Sequence, residues 1–235
     1  MGEIMKFVVN RFGPKVLFPW DYIGSGLEAK VYKKKDMAYK RYRLFSECSR
    51  LSLDDVSYLK NIPTRRILLP QETLYNIFGH FKGYTTKYIE NLGLVHYMHL
   101  PTECIFNDFS ILKDDCRILG EKHIRVADLI PKDREIYNHS FHNGLYFVDP
   151  GRFYQVANED IAFIEDKNKE MIDNFIYYRI FSVFADEVIG RYRYDFSKLY
   201  SFRKIIDDNP GQFMDFLMAD IQEDTLGEYV KKKVK

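Results

Sequence analysis

Residues 24–31 read Gly24-Ser25-Gly26-Leu27-Glu28-Ala29-Lys30-Val31, a stretch with two glycines directly before a strand pattern. Its first two glycines lack a Cβ atom, so the backbone can turn tightly and bring amide N–H groups close to a phosphate. Alternating residues follow at 29–33, then a charged turn at 34–36 and a second strand pattern at 37–42. The order predicts a glycine-rich hairpin followed by a further strand. The two glycines alone indicate phosphate binding only weakly, because many hairpins contain them.

The rest of the first part of the chain continues in short elements. Ser52 is an expected N-cap, and apolar residues at helical spacing predict a helix over 52–62 that ends before Pro63. Two apolar segments, 72–78 and 83–89, are separated by a glycine and a histidine and predict a second hairpin. The chain therefore begins with a β-rich part.

Beyond residue 90 the hydrophobic period becomes helical. Residues 105–121 and 168–189 carry apolar side chains at helical spacing, and the last forty residues predict two or three more helices. We expect a short hairpin made by 135–137 and 144–148, with 139–143 at its tip. The terminal residues 231–235 are predominantly lysine, which favours a frayed, solvated tail.

The order of these elements resembles the protein kinase superfamily, in which a loop G-x-G-x-x-G-x-V is followed by a strand carrying a lysine. Here Lys40, in Ala38-Tyr39-Lys40, has the place of that lysine, and an alanine replaces the third glycine. The resemblance implies an α+β, two-lobed kinase-like fold in one domain, with a β-rich lobe over 1–89 and a mainly helical lobe over 90–235. It implies that Lys40 serves catalysis and orients the phosphates of ATP. It also assigns nucleotide binding to Gly24, Ser25, Gly26, Ala29, Val31 and Lys40.

The same resemblance implies a hinge segment for adenine. Thr86 has the place of the residue at the back of the nucleotide site, and the backbone of Lys87, Tyr88 and Ile89 would face adenine.

A helix with an acidic partner for the lysine is also implied by the family. Asp55 is the expected partner, with Asp54 or Glu47 as the alternatives.

Two aspartates complete the resemblance. Asp128, in the segment 126–133, is similar to the catalytic-loop aspartate, and Asp149, before a proline and a glycine, is similar to the metal-binding aspartate. Asp133 stands where the family has a metal-binding asparagine, so Asp149 and Asp133 are the expected Mg²⁺ ligands. His and Arg are absent before Asp128, and no A-P-E sequence follows Gly151.

Simpler interpretations remain for each of these residues. Lys40 would also suit a solvated strand position, and Asp128 and Asp149 each lie in ordinary turn-forming sequences. The histidines of His139-Ser140-Phe141-His142 are expected to belong to the hairpin tip, not to a metal site.

Composition limits the classes of function. Lys and Arg number 35 against 34 Asp and Glu, so no overall charge draws the protein to nucleic acid or membranes. The three cysteines do not suggest a disulfide framework, and the first residues do not resemble a secretory leader, so we expect a cytoplasmic protein. The expected function is an ATP- and Mg²⁺-dependent kinase acting on a hydroxyl of a protein or small molecule. The alternative is a pseudokinase that serves as a nucleotide-binding or interaction module.

Overall fold

The structure is a computed structural model that describes residues 6–10, 13–25, 28–43, 51–127, 139–150, 152–190 and 193–235. Within these ranges the chain is an α+β protein with a curled antiparallel sheet of seven strands and with seven α-helices. The predicted α+β class is therefore confirmed. None of the helices in these ranges is long and apolar enough to cross a membrane.

The large sheet is built entirely from the first part of the chain. Its strands are β1 (Lys6–Asn10), β2 (Gly13–Leu17), β3 (Tyr22–Ser25), β4 (Ala29–Lys34), β5 (Met37–Tyr42), β6 (Glu72–Tyr75) and β7 (Phe81–Lys87). They lie in the order β2-β1-β6-β7-β5-β4-β3. Both predicted hairpins are confirmed, because β3 pairs with β4 and β6 pairs with β7.

Successive side chains of β4 and β5 point alternately to the two faces of the sheet, so each strand contributes to both faces. Tyr32 and Tyr39 pair across the two strands and are buried with Leu74 in a small core on one face. The opposite face carries Tyr42, which belongs to the main core. The Lys34 ammonium donates to the Val16 carbonyl at 2.9 Å and thus joins β4 to β2, two strands that are not neighbours in the sheet.

The second part of the chain is mainly helical. One helix, α1 (Leu53–Leu59), lies in the first part of the chain between β5 and β6. The helices of the second part are α2 (Leu94–Met98), α3 (Thr102–Glu121), α4 (Ile161–Phe175), α5 (Phe196–Asp208), α6 (Phe213–Asp220) and α7 (Leu226–Val234). Short strands form two further pairs, β9 (His139–His142) with β10 (Gly144–Phe147) and β8 (Ile124–Arg125) with β11 (Tyr154–Gln155). The helix expected over 168–189 begins earlier, at Ile161, because Asp160 caps its first turn. Two π-helical segments, Ile176–Ser182 and Ala185–Gly190, continue it.

Two local predictions were wrong. Residues 139–142 form strand β9 and not the hairpin tip, because His139 and Phe141 both pack into the protein interior. The other half of the expected hairpin, 135–137, lies outside the described residues. Residues 231–234 are not a frayed tail, since they belong to α7, which buries Val230 and Val234 one helical turn apart.

The β-rich part and the helical part meet at the loop before β6. A parallel bridge joins Ile67 to Phe147 of β10, and the Leu68 N–H donates to the Phe147 carbonyl at 2.8 Å. The buried Asp115 carboxylate of α3 accepts the N–H groups of Arg65, Arg66 and Ile67 at 2.7 to 3.1 Å. These bonds fix strand β10, and with it the residues that follow it, against the sheet.

Candidate functional site

Lys40 lies in the middle of the large sheet. It pairs with Val31 of β4 on one side and with Tyr84 of β7 on the other. Directly paired residues point to the same face of a sheet, so the three side chains form one row. Only 13% of the Lys40 side chain is exposed.

The Lys40 ammonium forms an ion pair with Asp149, 109 positions later in the chain. Lys40 Nζ lies 2.6 Å from Asp149 Oδ1, within a charge-assisted hydrogen bond. Asp149 follows β10 by two residues, and the Asp149 side chain is 40% exposed. The fold therefore brings together two of the residues that the sequence singled out.

Tyr84 is a third member of this group, and sequence reasoning missed it. Its hydroxyl donates to the same oxygen, Asp149 Oδ1, at 3.2 Å, and its ring centroid lies 5.7 Å from Lys40 Nζ. Burial, followed by the nearby Asp149 charge, raises the pKa of the Tyr84 hydroxyl well above its usual range. The register of the β5–β7 pair was the available signal, because it places Tyr84 directly beside Lys40.

The expected ion pair between Lys40 and Asp55 is not formed in the described structure. Asp55 lies at the start of α1, where its carboxylate accepts the Ser52 N–H at 2.8 Å and the Ser52 hydroxyl at 2.7 Å. Ser52 in turn accepts the Asp55 N–H, so the two residues form a capping box. Asp54 lies in the same first turn, and Glu47 lies outside the described residues.

The glycine-rich hairpin is partly described. Gly24 pairs with Val31 and Ser25 with Lys30, while a register shift separates Gly24 from Tyr22. A Cβ on Gly24 would meet no described atom within 4 Å. Ala29 is buried at the start of β4. Gly26 lies outside the described residues.

The expected hinge segment continues directly from β7. Thr86 is 5% exposed and pairs with Ala38, on the same face as Lys40, and Lys87 pairs with Met37. The Tyr88 N–H donates to the Asp36 carbonyl at 2.7 Å. The Ile89 carbonyl accepts the Ser140 hydroxyl at 3.2 Å. These two bonds hold the segment and engage one N–H and one C=O of 87–89 inside the protein.

Asp128 and Asp133, the expected catalytic and second metal-binding aspartates, lie outside the described residues. The chain just before them is well anchored. The buried Asn168 of α4 accepts the Val126 N–H at 2.8 Å and donates to the Ile124 carbonyl at 2.9 Å. Within the described ranges, no group of three or more His, Cys, Asp and Glu side chains is arranged to hold a metal ion.

A second polar cluster lies at the other end of β10. The fully buried Asp108 of α3 pairs with Arg66, with 2.6 Å between Arg66 Nε and Asp108 Oδ1, and accepts the N–H of Leu145. The buried Tyr97 hydroxyl interacts with the same carboxylate. Burial raises the pKa of Asp108 to about 6, although its hydrogen-bond partners and Arg66 act in the opposite direction.

A cavity of about 220 Å³ lies elsewhere, between α1 and β11. Asp54, Tyr58 and Tyr154 form part of its wall, and neither Lys40 nor Asp149 lines it. The chemistry of the Lys40 cluster therefore does not coincide with this cavity.

No model of a known protein family matches the sequence, and a comparison with curated proteins finds no match.

Proposed function

We propose that this protein is an ATP- and Mg²⁺-dependent phosphotransferase with a kinase-like arrangement, in which Lys40 and Asp149 hold the nucleotide phosphates and the metal. The single observation that carries the proposal is the 2.6 Å contact between Lys40 Nζ and Asp149 Oδ1. The glycine hairpin, the lysine strand and the hairpin before Asp149 occur in the order expected of that family. A contact between residues 109 positions apart is not a consequence of local sequence.

The donor chemistry of the cluster suits a magnesium ion. Mg²⁺ prefers oxygen ligands and is commonly bound by one or two carboxylates together with phosphates and water. Asp149 supplies a carboxylate that is 40% exposed, and Asp133 is the proposed second ligand. When bound there, the ion would neutralise charge on the phosphates of ATP.

The remaining roles belong to side chains and backbone of this protein. Lys40 would orient the phosphates, and residues 24–31 would cover them with backbone N–H groups. Asp128 would position the acceptor hydroxyl and accept its proton. Residues 86–89 would contact adenine beside the lysine strand. Positioning and charge stabilisation supply most of the rate in such sites. The acceptor is a hydroxyl of a protein or small molecule.

Transfer of labelled γ-phosphate tests this proposal. We expect transfer to fall by about 100-fold or more in Asp128→Ala and in Asp149→Asn. Asp166→Asn, at an exposed position of α4, is the matched control that retains wild-type transfer. An Asp128→Ala protein that labels its substrate as well as wild type would remove the assigned role. Mass spectrometry of the product separates transfer of the phosphoryl group from transfer of the nucleotide.

A second candidate function is a pseudokinase that binds nucleotide without catalysis. It is favoured by the engagement of Asp55 in a helix cap, so that no helix carboxylate of the described residues contacts Lys40 in the way the family resemblance implies. The altered loop around Asp128 points the same way. A protein that is stabilised by Mg-ATP in a thermal shift assay but transfers no label would support this candidate.

A further inference from the structure

We propose that Tyr84 is a positioning residue that holds the Asp149 carboxylate in the orientation needed to bind metal, an inference that rests on the proposed phosphotransferase function. Two donors from neighbouring strands, the Lys40 ammonium and the Tyr84 hydroxyl, meet on one oxygen of Asp149, at 2.6 and 3.2 Å. Neither composition nor the family resemblance assigns a role to Tyr84.

The two donors differ in their freedom to move. Lys40 has a flexible four-carbon chain, and under the proposed function its ammonium leaves Asp149 for the phosphates when nucleotide binds. Tyr84 has only two side-chain torsions, and its side chain is 1% exposed. Its ring packs edge to face against Tyr42 at 6.1 Å, and its backbone is hydrogen-bonded to strands on both sides.

Tyr84 therefore remains a fixed donor to Asp149 when the mobile Lys40 ammonium leaves it. A hydrogen bond to a single carboxylate oxygen restricts rotation of the group and sets the direction of its other oxygen. Ordering the ligand in advance reduces the entropy lost when the ion binds.

The test compares two Tyr→Phe substitutions in the same aromatic pair. Tyr84→Phe keeps the buried ring and removes only the hydroxyl that reaches Asp149. Tyr42→Phe is the matched control, because the hydroxyl of Tyr42 donates to the Leu51 carbonyl at 3.2 Å. ATP binding is measured by calorimetry without metal and during a Mg²⁺ titration, with circular dichroism to verify that each variant is folded.

We expect Tyr84→Phe to raise the Mg²⁺ concentration for half-saturation about tenfold, the size expected for loss of a hydrogen bond to a charged group. Metal-free ATP affinity should stay within twofold of wild type, and Tyr42→Phe should match wild type in both measurements. If Tyr84→Phe weakened ATP binding equally with and without Mg²⁺, the effect would be merely structural and the proposal would be overturned. An unchanged Mg²⁺ requirement in Tyr84→Phe would overturn it as well.

Failure of the underlying function gives a different result. If the wild-type protein itself binds no ATP with or without Mg²⁺, the phosphotransferase proposal falls and the role of Tyr84 falls with it. A second measurement needs no nucleotide, namely the rate at which an amine-reactive ester modifies Lys40. We expect this rate to rise several-fold in Tyr84→Phe, because Asp149 then holds the ammonium less rigidly, and an unchanged rate would contradict the proposed fixation of Asp149.

Discussion

Two clusters at opposite ends of strand β10 use the same three kinds of side chain in different surroundings. The Asp149 cluster is Lys40, Tyr84 and Asp149, and the Asp108 cluster is Arg66, Tyr97 and Asp108. In the first, the carboxylate is 40% exposed and its cation is a lysine; in the second, the carboxylate is fully buried and its cation is an arginine.

This difference in burial and in cation type indicates that the two ion pairs have different roles. A fully buried ion pair must keep its partners, because an uncompensated charge in the interior costs several kcal/mol. Arginine suits that task, and here its guanidinium also packs over the Tyr146 ring at 4.3 Å. A half-exposed carboxylate can exchange its lysine for a metal or a phosphate at small cost to the fold. We infer that the Asp108 cluster secures β10 and that the Asp149 cluster is available for chemistry.

The largest expected effect is a contrast between two alanine variants. Asp108→Ala leaves Arg66 without its partner in the interior and should lower the free energy of unfolding by about 3–5 kcal/mol. Asp149→Ala removes an accessible partner and should change it by less than about 1 kcal/mol. Urea unfolding of both variants measures the contrast. Equal destabilisation would show that the two clusters are both structural.

The pH dependence of stability reports on the buried Asp108 cluster. The pKa of Asp108 is raised to about 6 in the folded protein, so the unfolded chain loses this proton first as pH rises. With respect to this group, stability is therefore greatest below pH 4 and falls by roughly 3 kcal/mol in total as pH rises through 6. Asp108→Asn should remove that part of the slope in urea unfolding at successive pH values.

Asp173 provides an internal control for this experiment. Its carboxylate accepts the N–H groups of Phe213 and Met214 at the start of α6, and burial raises its pKa to about 7. Its contribution falls in the same direction and continues to pH 7, so the slope between pH 6 and 7 should survive in Asp108→Asn. Loss of that slope too would mean that the variant has changed the packing beyond Asp108.

Local parts of the fold could be predicted from sequence because their patterns are local. The alternation around Tyr32 and Tyr39 predicts β4 and β5, and Ser52 predicts the start of α1. The same residues would have placed Asp55 correctly, since Ser-x-x-Asp before an apolar run is a capping-box pattern. The family resemblance took precedence there and assigned Asp55 to Lys40, a contact that the described structure does not contain.

The candidate site could be predicted from the sequence only in part, because its residues meet through long-range contacts. No local sequence pattern shows that Lys40 contacts Asp149. Both were predicted as site residues only because the order of elements resembles that of a known family. Tyr84 looks like an ordinary core residue in an apolar strand, and only the pairing of β5 with β7 reveals its position. The helical position of Val234 was not predicted, because it lies among lysines and its spacing of four residues from Val230 was not recognised as a helical pattern.

A glycine at the start of β10 offers a smaller perturbation of the Asp108 cluster. Gly144 has φ +148°, and a Cβ there would lie 2.6 Å from the Arg66 guanidinium and from Asp108 Oδ1. Gly144→Ala should lower the free energy of unfolding by about 2 kcal/mol, from the strained backbone and the displaced ion pair. Gly79→Ala is the matched control, because φ is +80° and no described atom lies within 4 Å. It should cost about 1 kcal/mol. Equal midpoints in urea would argue against tight packing of the cluster.

The smallest expected effect concerns the carboxylate that the sequence assigned to Lys40. Asp55→Ala removes half of the capping box with Ser52 at the exposed start of α1, so the free energy of unfolding should fall by about 1 kcal/mol. Labelled phosphate transfer should stay within twofold of wild type, because the lysine pairs with Asp149 instead. A collapse of transfer without a matching loss of stability would mean that Asp55 reaches Lys40 during the reaction. The Asp149 cluster would then gain a fourth member, supplied by α1. It would differ from the Asp108 cluster not only in its exposure but also in changing its partners during the reaction.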